Sequence, residues 1–281
     1  MAERIEVKEA GTLLKYLVTH LSSWHRNTLK DRLKGGCIRL NDEVCYQHNE
    51  ELHAGDCIEI YGRGEGKGAR RNTAGLITIY TDQDITVIDK PSGLLSVSSE
   101  REHARTALAI LKKSLSGPGD TQKLWPVHRL DRETSGVLLF AHSKEVCDAI
   151  RANWSEANKV YLAIVSGHPD PADRVIDQPL WEDKNLRVHV GDRENSRAAR
   201  TRFKTLQTTT ELSLLEVTLD TGRRHQIRAH LAWLGHPIIG DERYGPPGPR
   251  LMLHARRLTI QHPNGGGDLV FEAPAPKGFT L

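Results

Sequence analysis

The chain has 281 residues, a formal net charge of +3 and 38% hydrophobic residues, enough to bury a sizeable core and, by length, to form more than one domain. No apolar run approaches the ~20 residues a bilayer crossing needs, and the opening MAERIEVKEA is charged with no apolar signal segment after it. Cys37, Cys45, Cys57 and Cys147 show no paired spacing, so a soluble cytoplasmic monomer with reduced, mostly buried thiols is expected and a disulfide-built secreted protein is not.

Charge is unevenly placed along the first 61 residues. Lys15, Arg26, Lys30, Arg32, Lys34 and Arg39 crowd one stretch opposed by Asp31, whereas residues 40 to 61 carry Asp42, Glu43, Glu50, Glu51, Asp56 and Glu59 with no Lys or Arg. Such segregation predicts a small domain with one basic face suited to a polyanion; an ordinary solvated helix face is the plainer alternative. Leu13, Leu14, Leu17, Val18 and Leu21 recur at helical spacing, and Leu29 with Leu33 mark a second helix ended by Gly35-Gly36. Short strands are predicted around Ile38 to Leu40 and Cys57 to Tyr61. Residues 62 to 73 begin GRGEGKGARRN and hold too little apolar content to fold into a core, so they read as a flexible basic linker. A phosphate loop ending at Lys67 would need Gly at 61 and Ser or Thr at 68, where Tyr61 and Gly68 stand.

From residue 74 a larger domain is predicted. Leu76 to Tyr80 and Ile85 to Ile88 read as strands, and Lys90-Pro91-Ser92-Gly93 turns the chain out of the sheet. Helices are expected over Ala104 to Lys113 and Lys144 to Asn153, with further alternating stretches at Ala199 to Leu206 and Glu211 to Leu219. This irregular order of strands and helices predicts an α+β domain around a mixed, largely antiparallel sheet. In the helix after Thr221-Gly222, Ile227, Leu231 and Leu234 form an apolar stripe, and Arg228 falls at its edge.

The chemistry centres on His128-Arg129-Leu130-Asp131-Arg132-Glu133-Thr134-Ser135-Gly136, a carboxylate between two arginines followed by turn residues and the apolar VLLFA. At about 4 Å and an effective dielectric near 20, each Asp–Arg pairing is worth roughly 4 kcal/mol before desolvation, which suits a nucleophile or base better than an acid. Taken alone, an Asp before Glu-Thr-Ser-Gly more often satisfies its own backbone in a turn.

The whole stretch resembles the H-R-L-D-x-x-T-S-G-x-x-x-x-A signature of the RluA-type pseudouridine synthases, with every fixed position filled. Lys159 to Gly167 (KVYLAIVSG) resembles the same family's tyrosine strand, Thr221 to Gly245 (TGRRHQIRAHLAWLGHPIIGDERYG) its third motif, and Val87 to Gly93 (VIDKPSG) its first. The resemblance spans roughly residues 76 to 276 and implies the same mixed-sheet fold and an RNA pseudouridine synthase that needs no cofactor. It implies Asp131 as the catalytic carboxylate, Arg228 as its ion-pair partner, Tyr161 against the flipped base, and Arg129 as the side chain that fills the vacated stack. His128 and Arg223, from the same motifs, are expected to contact RNA.

Residues 1 to 61, with two helices followed by RLNDEV (39–44) and AGDCIEI (54–60), resemble an S4-type RNA-binding module, although Thr12-Leu13-Leu14 stands where that module usually opens Arg-Leu-Asp. Arg26, Lys30 and Lys34 are its expected RNA contacts. The expected partner is rRNA ahead of tRNA, with no membrane. No metal is expected: His225 and His230 do not stack on one helix face, and no H-E-x-x-H or Cys/His cluster exists. Most of the fourteen histidines are expected at the surface or facing RNA. Glycoside hydrolysis by paired carboxylates is chemically related, but no second acidic residue in the matched motifs stands out as a partner for Asp131. A noncatalytic RNA- or ribosome-binding protein that keeps the scaffold is the competing reading.

Overall fold

The computed structural model describes residues 3–21, 24–34, 37–41, 43–45, 48–61, 70–71, 75–98, 105–116, 123–265, 267–276, 278–279 and 281, leaving aside the side chains at 31, 34, 43, 44, 70 and 71. The N-terminal residues form β1 (Glu3–Glu6), β2 (Gly11–Thr12), α1 (Leu13–His20), α2 (Arg26–Lys34), β3 (Ile38–Leu40), β4 (Glu43–Val44), β5 (Glu51–Leu52) and β6 (Cys57–Ile60). Strands β1, β6, β3 and β4 make one antiparallel sheet in that order, and β2 pairs with β5. Leu13, Leu17, Leu29 and Leu33 from the two helices close on Ile38, Leu52 and Ile58 in a core drawn from residues 5 to 60.

The rest comprises β7 (Arg70–Arg71), β8 (Ile77–Thr81), β9 (Ile85–Lys90), α3 (Ala107–Leu115), β10 (Trp125–Pro126), β11 (Ser135–Ala141), α4 (Lys144–Ala152), β12 (Asn158–Ser166), β13 (Asp173–Asp177), β14 (Leu180–Glu182), β15 (Val188–Val190), β16 (Arg200–Thr208), β17 (Leu212–Leu219), α5 (Gln226–Trp233), β18 (Leu253–Gln261) and β19 (Asp268–Glu272). An 11-stranded sheet runs β13-β16-β17-β12-β18-β11-β9-β8-β7, with β10 on β11 and β19 on β18. Its pairings are antiparallel apart from β11 with β18, so the fold is α+β with a mixed, largely antiparallel sheet. Part of the expected linker is sheet: Arg70 and Arg71 pair with Thr78 and Ile77 at its edge. The remainder of 62–73 lies outside the described residues.

Strand β11 (SGVLLFA) is buried along its whole length, as an unbroken apolar run between two neighbours should be. Its parallel contact with β18 depends on Gly136: its φ is +113°, and a Cβ there would lie 2.2 Å from the Ala255 carbonyl oxygen. Glycine alone meets both demands. Helices α3 and α4 start directly after N-caps whose side chains, Thr106 and Ser143, accept from the Ala109 and Val146 N–H groups.

Two expectations change. Helix α5 is short and buried from Gln226 through Leu231, so Arg228, expected at the edge of the apolar stripe, is itself enclosed and 7% exposed. The histidines are less peripheral than expected. His230 and His254 are fully buried, with His230 bridging Thr201 Oγ1 and the Gln178 carbonyl and His254 bridging Ser135 Oγ and the Ala273 carbonyl. Among the described residues no helix is long and apolar enough to cross a membrane.

Candidate active site

Asp131 sits in the segment between β10 and β11, and the first motif holds that segment in place. Lys90, fully buried at the end of β9, donates from Nζ to the carbonyls of Pro91 (3.0 Å), Leu94 (2.7 Å) and Arg132 (3.0 Å). Burial pushes its ammonium down to about 8, opposed by the charges of Glu133 and Asp131. Ser92 Oγ donates to the Glu133 carbonyl at 2.6 Å, the Gly93 N–H donates to the Arg132 carbonyl at 2.9 Å, and Ser96 Oγ exchanges hydrogen bonds with both backbone groups of Leu130. Thr134 closes the turn by donating its N–H to the Asp131 carbonyl at 3.2 Å. The Asp131 side chain remains a quarter exposed, at 25%.

The cation that reaches this carboxylate comes from α5. Arg228 Nη1 donates to Asp131 Oδ2 at 3.1 Å, while Nε and Nη2 form a fork on Asp241 Oδ2 and Oδ1, both at 2.8 Å. Asp241 is fully buried and its Oδ1 also accepts the Arg243 and Tyr244 N–H groups. Burial alone would disfavour the guanidinium charge, but the hydrogen bonds and charge of Asp241, then Asp131, more than offset it and hold Arg228 charged. A second acidic residue of the third motif therefore does have a structural part: Asp241 is partner to the arginine, buried behind it.

Gln226, before Ile227 and Arg228, fixes the start of the helix. Its Oε1 accepts from Thr221 Oγ1 and the Arg223 N–H, and its Nε2 donates to the Arg200 carbonyl and Thr201 Oγ1. Tyr161, half-buried on β12, packs beside Leu130 and Ala255; burial, then the Asp131 charge, push its phenol upward. A cavity of about 210 Å³ is lined by Arg129, Asp131, Tyr161, Arg223, His225 and Arg228 among others. It offers one carboxylate, an aromatic wall and several cations, an arrangement suited to an anionic polymer carrying a planar base.

The expected site residues do not all meet there. Asp131, Tyr161 and Arg228 do, with Arg129 and Arg223 exposed at the rim, and Arg223 Nε donates to the Ala198 carbonyl. His128 does not: its ring stacks on Trp154 with centroids 5.0 Å apart, and Nε2 accepts the Leu139 N–H, the posture of a packing residue whose imidazole burial keeps neutral. Arg26 is exposed and Lys30 half-buried on α2, while the Lys34 side chain lies outside the described residues. Sequence reasoning missed Asp241, His225, Tyr244 and the clamping role of Lys90. A buried arginine demanding a bidentate carboxylate was the one available signal for Asp241.

Residues 84–233 match a family model described as RNA pseudouridylate synthase. The chain is 37% identical over 210 residues to the dual-specificity RNA pseudouridine synthase RluA of Escherichia coli (strain K12), covering 71% of this chain and 93% of that protein. It is 29% identical over 272 residues to ribosomal large subunit pseudouridine synthase D of Nitrosomonas europaea, covering 91% and 78%. Among solved structures, the human RNA pseudouridylate synthase domain containing 4 superposes with a TM-score of 0.61 at 27% identity, covering 72% of this chain and 89% of that one.

Proposed function

We propose, from the premise that this chain belongs to the RluA-type RNA pseudouridine synthase family, that it isomerises specific uridines of structured rRNA, and that Asp131 is the carboxylate that does so. RNA is the substrate and the reaction is an intramolecular transfer: the bond between C1′ and N1 breaks, the uracil turns, C1′ rejoins at C5, the C5 proton leaves, and N1 takes up a proton in its place. The observation that carries the assignment is the Asp131 side chain, partly open to a cavity and paired with Arg228 at 3.1 Å. The flanking guanidinium orients the carboxylate and complements its charge, as suits a nucleophile or base.

The uridine must leave its stack to reach such a recess, at a cost of a few kcal/mol. In this reading Arg129, exposed where it lines the cavity, fills the gap, and Tyr161 gives the base an aromatic surface. A ribosomal target is supported by the relative that acts on the large ribosomal subunit. Residues 1–61 serve in this reading as an S4-like RNA-binding module joined through residues 62–73 to the catalytic domain of residues 74–281, and the protein works in the cytoplasm.

The test is Asp131→Asn on RNA tritiated at uracil C5. The amide keeps shape but loses charge and nucleophilicity, so label release should vanish while RNA affinity stays near that of the wild type. Turnover within about tenfold of wild type would remove Asp131 from the chemistry. Mapping pseudouridine in rRNA and tRNA from cells with and without the gene identifies the substrate class; a site lost from tRNA alone would overturn the rRNA assignment.

A further inference from the structure

His225 is held more tightly than a cavity-lining residue needs to be. It is the cap of α5 with φ of 50°, a left-handed backbone that histidine tolerates better than most residues but still at a cost. Its side chain is 9% exposed, and its ring lies edge-on to Tyr244 at 5.6 Å. Nδ1 is 2.9 Å from the Tyr244 hydroxyl, which accepts the Val188 N–H at 3.0 Å. Nε2 points the other way and stands 3.8 Å from Asp131 Oδ2.

The proton arrangement follows from counting donors. The Tyr244 oxygen already receives the Val188 proton, and among the described residues the acceptor within reach of its own proton is His225 Nδ1. Of the two neutral tautomers, the one with its hydrogen on Nε2 lets Tyr244 donate to Nδ1 and turns an N–H toward Asp131, whereas the other leaves the Tyr244 proton without an acceptor among the described residues and sets the Nε2 lone pair against the carboxylate. The charged groups around the ring are Asp131 on one side and Arg228, Arg224 and Arg243 on the others; burial, with these arginines and against Asp131, keeps the imidazole unprotonated down to about pH 4. Arg228 Nη1 and His225 Nε2 both address Oδ2, and the Arg228 hydrogen bond to this carboxylate goes to that oxygen.

We infer that His225 is a positioning residue: a fixed Nε2–H donor that closes on Asp131 Oδ2 when substrate fills the cavity, anchoring that oxygen so that Oδ1 meets the nucleoside, with Tyr244 and the Val188 N–H of β15 setting its tautomer. The inference rests on Asp131 being the catalytic carboxylate. The 3.8 Å separation is the long contact of a substrate-free site that tightens once the complex forms.

The experiment combines tautomer and rate. In the full chain labelled with 15N-histidine at neutral pH, the His225 resonances should show Nδ1 bare and Nε2 protonated, and Tyr244→Phe should shift the population toward the other tautomer. Asn accepts the left-handed backbone but is too short to reach Asp131, so His225→Asn should lower kcat about 100-fold, as a misplaced reacting group does, with KM changed less than about threefold. His225→Gln, whose amide can extend to the same place, should recover most of that loss. A protonated Nδ1 in the wild type overturns the inference, as does a His225→Asn enzyme with wild-type kcat. Should His225→Asn fail to fold, the wild-type resonances decide alone. The parent assignment fails separately, through an active Asp131→Asn enzyme.

Discussion

One guanidinium serves two carboxylates of opposite character, one buried and one open to the cavity, and on the proposed role of Asp131 this separates stability from chemistry. Asp241 has no exposure and takes two of the three Arg228 hydrogen bonds; Asp131 takes one and faces the cavity. Removing the buried partner strands a buried charge, which typically costs about 3–5 kcal/mol. Asp241→Ala should therefore lower the denaturant midpoint sharply and lose activity with it, whereas Asp131→Asn should unfold near the wild-type midpoint and yet be inactive. Urea unfolding of the two variants side by side checks this: equal midpoints would mean that Arg228 is stabilised by something other than Asp241.

At the scale of elements, the signature motif reads as sheet engineering as much as chemistry. Gly136 lets β11 lie against β18, and β18 supplies Ala255 beside Tyr161 while β11 emerges from the Asp131 turn. Gly136→Ala would drive a Cβ to 2.2 Å from backbone that cannot rotate away, adding overpacking to left-handed strain, together on the order of 3 kcal/mol or more. A Gly136→Ala chain with unchanged melting temperature would show that the two strands can part freely. The alternating and apolar runs located β8, β9, β16 and β17 within a few residues, because one strand's pattern reports its own two faces. At α5 periodicity located Ile227 and Leu231 in the core but left Arg228 at the edge of the stripe, because it assumes a solvent-facing side and the stretch from Gln226 to Leu231 is buried all round. Asp241 was invisible for another reason. Its role depends on a loop folding back 13 positions to meet Arg228, a non-local event that no local pattern records, and the Asp131–Arg228 pair itself, 97 positions apart, was legible only through family resemblance. The histidines misled in the same way, since His254 and His230 satisfy backbone carbonyls and hydroxyls that lie far off in the sequence.

For the whole molecule, the two halves keep separate cores: Leu17, Leu29 and Ile58 close one, while the strands from β8 onward close the others. If residues 1–61 bind RNA, tethering makes engagement of the catalytic half effectively intramolecular, so the N-terminal half contributes affinity and leaves the chemical step untouched. Each lost phosphate contact, from Arg26, Lys30 or Lys34, should then flatten the log–log salt dependence of binding by roughly 0.7 to 0.9. The cut must respect the edge strand, since Arg70 and Arg71 pair with β8; a chain beginning just before Arg70 keeps it, and one beginning at Thr73 does not. The longer truncation product should retain near-normal kcat at saturating RNA, with weaker binding and a shallower salt slope measured by filter retention at several salt concentrations. Equal affinity and equal slope for the truncated and full chains would deny the N-terminal half any RNA contact, and Thr12-Leu13-Leu14 in place of the usual Arg-Leu-Asp opening would then be the place to look for the reason.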